Sequence, residues 1–251
     1  MRKNILYVLF LTIIITLNIS CNRTEDDLFD KSPAERMNEA ISSSRTTLTT
    51  PTNGWIVDYF PNPDSIGFTY AMKFDSSGKV KIATRNKFVA QYDEVESDWD
   101  VIGDMSVVLT FNSYNDIFHI FSDPRYPGNT GEADGVGFNG DYEFLILSKN
   151  TDEIVLKGKK HAAITIARPM PVEQNWEEYF NRVDEMNNVL FTSGVTLHLT
   201  SNERDEYSLK NGHSQIFTLV PSDGNEVDDS FQKSFKTTDF GIRFAQALEI
   251  G

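Results

Sequence analysis

From Trp55 onward the apolar residues recur at every second position, the period of a pleated strand with one face turned inward. Trp55, Val57 and Tyr59 alternate with Ile56, Asp58 and Phe60 until Pro61 and Pro63 end the run. Phe68, Tyr70, Met72 and Phe74 line one face of the next segment, and Asp75, Ser76, Ser77 and Gly78 then turn the chain into Val80 and Ile82, which predicts a hairpin. Two more hairpins are expected. One joins residues 107–111 to 117–121 across 112–116, and the other joins 141–147 to 154–160 across 148–153, with a last strand through Ile164 and Ile166 to Pro169. Roughly eight strands joined by short turns describe an up-and-down antiparallel meander, which closes into a lipocalin-like barrel or packs against a helix. The Phe, Tyr, Ile and Val of these strands are expected to fill the interior rather than form a ligand platform.

Two segments carry the helical period. Ser32, Pro33, Ala34 and Glu35 form a capping-box start, after which Met37, Ala40, Ile41, Ser44 and Leu48 share one narrow face. This predicts a helix over about residues 33–48, stopped by a threonine run, Pro51 and Gly54. The second has Trp176, Tyr179, Phe180, Val183, Met186 and Leu190 on one side, with Glu177, Glu178, Asp184 and Glu185 mostly facing away. Val195, Leu197 and Leu199 then alternate, strands are expected near 207–210 and 215–220, and residues 241–250 read as a final strand with Ile242, Phe244 and Leu248 apolar.

The fold class is therefore mainly β with two helices (α+β), in which helix followed by meander occurs twice. A faint echo of Phe111, Asn112, Ser113, Ile117 and His119 in Phe235, Lys236, Thr237, Ile242 and Phe244 suggests a duplication. The expected division is 32–170 for the first helix and meander and 171–251 for a second helix and β unit. That second unit either lacks a last hairpin or ends in a strand that closes a sheet edge.

The first residues alter the picture more than any later segment. Arg2 and Lys3 precede a mostly apolar run from Ile5 to Ile19, interrupted by Thr12, Thr16 and Asn18 and followed by the small Ser20. That is a secretory signal over residues 1–20, too short and wrongly flanked for a membrane-spanning helix. Cys21, the only cysteine, excludes an internal disulfide framework and a multi-cysteine zinc site. Its place after Leu17, Asn18, Ile19 and Ser20 reads instead as a loose lipobox, with Asn18 where an aliphatic residue is usual. Cys21 is then the lipidation site, and its acyl chains, at about 0.8 kcal/mol per buried CH₂, make the membrane the protein's first partner. Residues 21–31, with Glu25, Asp26 and Asp27, read as an acidic, mobile tether.

The chain carries 23 basic and 37 acidic side chains, a net of -14, and loss of Arg2 and Lys3 with the signal leaves 21 against 37, or -16. The acidic surplus belongs to the exported body and excludes nucleic acid as a partner.

Several segments carry a resemblance. Asp27, Leu28, Phe29, Asp30, Lys31 and Ser32 lead to Ala34, Glu35 and Arg36, then Asn53, Gly54 and Trp55 to Tyr59 and Pro61, then Phe121, Ser122, Asp123 and Pro124. Asp141, Tyr142, Glu143 and Phe144 and the run from Asp152 through Gly158 to Lys160 complete the series. In order along the chain these are similar to a family of Bacteroidota lipoproteins known only as a domain of unknown function. The resemblance implies an anchored, exported, β-rich lipoprotein and brings no catalytic residues. In lipoproteins of that phylum an acidic cluster close to the acylated cysteine resembles a signal for surface display, so the expected location is the outer membrane, facing the cell surface.

Candidate chemistry is sparse. His119, His161, His198 and His213 are scattered with no pairing at metal-ligand spacing, and the chain has no Gly-x-Ser-x-Gly, phosphate loop or His-Glu-x-x-His. No catalytic residue, metal or cofactor is expected, and the ligand-binding residues are unknown. The segment 123–141, with Asp134, Asn139 and five glycines, reads as a flexible surface loop rather than a calcium site, and Lys157, Lys159 and Lys160 as a solvated strand end. The leading expectation is a non-catalytic surface lipoprotein that binds a glycan or a protein partner. The alternatives are a lipocalin-like carrier of a small lipophilic ligand and a glycan-active enzyme. A filled interior would count against the carrier, a solvent-facing pair such as Trp55 and Trp99 would favour glycan binding, and two close carboxylates in a cleft would favour the enzyme.

Overall fold

The computed structural model describes residues 30–124, 138–192, 197–200, 206–210, 216–221 and 232–246. The signal, Cys21, most of the tether, most of the glycine-rich loop and His213 lie outside the described residues. The chain forms two compact units, Met1–Arg36 and Met37–Gly251. In the first, Glu35 N–H donates to Ser32 Oγ at 3.3 Å while the Glu35 carboxylate accepts Ser32 N–H at 2.9 Å, the reciprocal box expected of this sequence. Those bonds hold the Glu35 carboxyl below its ordinary pKa.

The helix they start, α1 (Pro33–Thr49), runs on into the second unit. There Ser44 and Leu48 are buried and Met37, Ala40 and Ile41 half-buried, the face expected from their spacing. Ser44 Oγ donates to Ala40 O at 2.7 Å, which satisfies the buried hydroxyl within its own helix.

Eight strands follow: β1 (Trp55–Tyr59), β2 (Phe68–Phe74), β3 (Lys79–Asn86), β4 (Val89–Asp104), β5 (Ser106–Phe111), β6 (Glu143–Lys149), β7 (Ile154–Gly158) and β8 (Ile164–Pro169). Each pairs antiparallel with the next, and β1 pairs with β8, so the meander closes into a barrel as one of the two expected outcomes. The hairpins expected at 75–78 and 148–153 are present as β2/β3 and β6/β7.

The hairpin expected between 107–111 and 117–121 does not form. Residues 117–121 turn into a short 3₁₀ helix, His119–Phe121, and β5 pairs with β4 and β6 instead. The reason lies in the spacing: Ile117, Phe118, Ile120 and Phe121 are all buried, which no single strand face allows. Asn115 Oδ1 accepts the amides of Ile117 and Phe118 at 3.2 and 3.1 Å and starts the turn.

Strand β4, sixteen residues long, was not anticipated. Its first half is largely polar and exposed and pairs with β3 alone, so the usual alternation appears only from Ser97 through Trp99 to Val101.

The barrel is closed at both ends. Near the start of β1, Leu48 enters the core and accepts a hydrogen bond from Trp55 Nε1 at 2.8 Å. Near its end, Tyr59 meets the rings of Phe118 and Phe121, with centroids 5.4 and 5.6 Å apart. Between them Val57, Met72, Phe74, Leu109, Phe111 and Phe144 leave a residual cavity of about 10 Å³.

The second helix, α2 (Trp176–Leu190), lies on the outer face of β2 and β3. Ala71 and Ala83 supply a seat low enough for Trp176, Tyr179 and Phe180 to pack closely together with Met170, and Ile56, Tyr92 and Val183 lie at the margin. Asn175 caps it by accepting Glu178 N–H at 3.0 Å.

A five-stranded sheet follows: β9 (Leu197–Thr200), β10 (Glu206–Lys210), β11 (Ile216–Pro221), β12 (Gln232–Thr238) and β13 (Gly241–Phe244), in the order β13-β12-β11-β10-β9. The final strand is thus an edge. The proposed echo does not survive as structure, because Phe235–Thr237 and Ile242–Phe244 form a strand pair whereas Ile117–His119 lead into a 3₁₀ turn.

Strand β12 meets the barrel at Gly67, whose N–H donates to Phe235 O at 3.2 Å. A Cβ at Gly67 would lie 2.5 Å from the Phe60 ring and 2.9 Å from Lys236 Cβ, so only glycine permits this approach. Among the described residues no helix is long and apolar enough to cross a membrane.

Candidate functional site

The residues that carried the resemblance are mostly structural. Gly54 has φ +75°, and a Cβ there would lie 2.4 Å from Met72 O. Its neighbour Asn53 donates to Pro171 O and Gln174 O, each at 2.7 Å, while Trp176 Nε1 donates to Asn53 O at 3.0 Å. Together they latch the start of β1 to the entry of α2. Asp141 is spent in the same way: its carboxylate accepts Lys160 N–H at 3.0 Å and His161 N–H at 2.8 Å, and a Cβ at Gly158 would collide with it at 2.2 Å. Within the basic cluster, Lys159 is ion-paired to Asp104 at 2.7 Å and Glu143 at 3.0 Å.

Trp55 and Trp99, the tryptophans whose exposure would have favoured glycan binding, are 1% and 2% exposed, so they belong to the core. His119 is buried and accepts Asn115 N–H on Nδ1 at 3.0 Å, an arrangement that needs an unprotonated nitrogen. Burial lowers its pKa from the ordinary value of 6.5. Its ring lies 5.3 Å from both Tyr114 and Tyr142, which are 61% and 45% exposed. His161 sits in the β7–β8 turn with its Nδ1 3.5 Å from Asp141, and His198 is exposed on β9. Of the glycine-rich loop, residues 125–137 lie outside the described residues.

With the interior filled, the accessible space is outside the barrel. A cleft of about 380 Å³ opens where β2, the β3–β4 turn, α2 and β12 converge. Its barrel wall is Gly67, Phe68, Thr69, Arg85, Asn86, Lys87 and Ala90, and its far wall is Val183, Asp184, Asn187, Phe191, Lys236 and Thr237.

Several polar groups in these walls are already engaged. Arg85 Nη2 donates to Asn181 Oδ1 at 2.9 Å and pairs with Asp184 at 2.5 Å, leaving a buried Nε–H with no partner among the described residues. Asn86 Oδ1 accepts the amides of Phe88 and Val89 at 2.8 and 3.1 Å and shapes the turn. Asn187 Oδ1 accepts the Thr237 hydroxyl at 3.0 Å. Lys87 lies 5.0 Å from the Phe88 centroid, and burial lowers its pKa. Among the described residues that line the cleft, Asp184 is the only carboxylate.

Behind the cleft, Asp58 holds the β12 wall to the barrel. Its side chain is 5% exposed and pairs with Arg168 and Arg243, each at 2.8 Å, and with the Lys236 ammonium, which is 1% exposed. Arg168 also reaches Glu153 at 2.7 Å.

A second hollow of about 500 Å³ lies beside Trp176, but its central charges are matched, with Lys81 paired to Glu94 at 2.8 Å and the Tyr92 hydroxyl donating to the same carboxylate.

No sequence motif pointed to the cleft. Its walls come from four separated segments, and only the coincidence of Gly67 with a tightly turned β3–β4 hairpin could have hinted at a close approach there.

Fold and site together define a closed meander barrel with a filled interior, whose accessible pocket is formed on the outside by an added helix and sheet. Residues 25–251 match the family described as Domain of unknown function (DUF4302), and the chain belongs to it. No curated protein and no solved structure matches the chain.

Proposed function

We propose that this is a non-catalytic lipoprotein of the Bacteroidota type, held in the outer membrane by acyl chains on Cys21 and displayed at the cell surface, where its body binds a glycan. The observation that carries the reading is the contrast between a barrel interior with about 10 Å³ of free space and an external cleft of about 380 Å³. A small-ligand pocket occupies about 300–1,000 Å³ and combines apolar walls with a few convergent polar groups, a description that suits the cleft and not the barrel interior. The filled interior speaks against the carrier, and the single engaged carboxylate of the cleft speaks against glycoside hydrolysis.

The test is a glycan array probed with the body from residue 22, run in parallel with a fluorescent fatty acid titration. Retention of defined glycans without fatty acid uptake supports the proposal. Fatty acid binding without any retained glycan overturns it.

A further inference from the structure

Resting on the glycan reading, we infer that the cleft selects an anionic saccharide and seats its carboxylate or sulfate between Lys87 and Asn187. The argument begins with what remains free in the walls. Asp184 is committed to Arg85, the Asn86 carbonyl oxygen to two backbone amides, and the Asn187 carbonyl oxygen to Thr237. The polar capacity left over consists chiefly of donors: the Lys87 ammonium, the Asn187 amide nitrogen and the rest of the Arg85 guanidinium. Lys87 has no carboxylate partner among the described residues, its nearest aromatic neighbour being Phe88. An ammonium without a carboxylate partner, beside further donors, fits an acceptor-rich, negatively charged group, and charge-assisted hydrogen bonds are the stronger kind.

Charge placement points the same way. With Arg85 paired to Asp184 and Lys236 to Asp58, Lys87 is left as an unmatched cation of the walls among the described residues, in a chain of net charge -14. An anion repelled elsewhere on the surface is drawn to this spot. Val183 and Phe191 give the cleft an apolar side against which the C–H face of a sugar ring can lie, so the geometry suits a saccharide better than a free inorganic ion.

The experiment is calorimetric titration of the body with three oligosaccharides of matched length: a uronic acid oligomer, a sulfated oligomer and a neutral one. The expected result is binding of at least one anionic oligomer about tenfold or more tightly than the neutral one, weakened by salt, with the two anionic arms identifying the group. Lys87→Gln, at an exposed turn, should reduce that affinity about tenfold with an unchanged melting temperature. Lys160→Gln, in the basic cluster away from the cleft, should leave it unchanged. Equal affinity for the neutral oligomer, or an unaffected Lys87→Gln, overturns this inference while the glycan reading stands. Failure of every saccharide here and on the array overturns the glycan reading itself.

Discussion

Asp58→Asn tests the joint between barrel and outer sheet most directly. The substitution keeps side-chain volume and removes one charge from a point where three cations meet. Arg168 keeps Glu153 at 2.7 Å, and Arg243, about one quarter exposed, can turn toward water. Lys236 has neither escape: it is 1% exposed, and Asp58 is its only carboxylate partner among the described residues. Leaving a buried charge uncompensated costs about 3–5 kcal/mol. With a urea m-value near 3 kcal/mol/M for a chain of this size, the unfolding midpoint should fall by about 1–1.7 M. The reciprocal change, Lys236→Met, leaves Asp58 with two guanidiniums at 2.8 Å and fills the space with an unbranched apolar chain, so it should cost under about 2 kcal/mol. Equilibrium urea unfolding followed by tryptophan fluorescence reads both. A loss below about 1 kcal/mol for Asp58→Asn, or a larger loss for Lys236→Met, would refute the reasoning.

Three further outcomes are expected. Phe118→Ala should cost about 3–5 kcal/mol and open a dry void, so that benzene raises the melting temperature of the variant and not of the parent; a parent that responds equally has an interior that is not filled. His119 is buried with a pKa below its ordinary 6.5, so the stability it contributes is present above about pH 6.5 and is lost as pH falls through the folded value. Unfolding midpoints between pH 5 and 7.5 should therefore fall more steeply on acidification in the parent than in His119→Phe, and identical slopes would contradict this. Cys21→Ser should move the exported protein from the detergent phase to the aqueous phase on phase partitioning, an effect that a protein held by other means would not show.

The parts of the fold legible in the sequence are those specified by neighbours along the chain. The capping box at Ser32 and Glu35, the stripe ending at Leu48, and the β2/β3 and β6/β7 hairpins depend on residues a few positions apart and on turn residues between them. The same local logic misread residues 117–121, because a buried apolar run fits a strand and a helical turn equally well until a barrel end requires all four side chains to point one way. It also passed over the first half of β4, where exposed acidic residues hide a strand that faces solvent.

Read alone, the sequence determined the mainly β class with two helices, two of the meander's hairpins and the crowding of aromatics that fills the interior, because periodicity and turn chemistry are short-range properties. The acidic surplus is likewise read only there, as is the proposal of an anchor at Cys21, which lies outside the described residues. Tertiary structure decided that the barrel closes, that Trp55 and Trp99 are buried, and that a cleft forms against α2 and β12. The Asp58–Lys236 contact that holds this cleft together spans 178 positions. Only the packing of Gly67 against β12 and the alanine seat beneath α2 bring such distant groups within reach of one another.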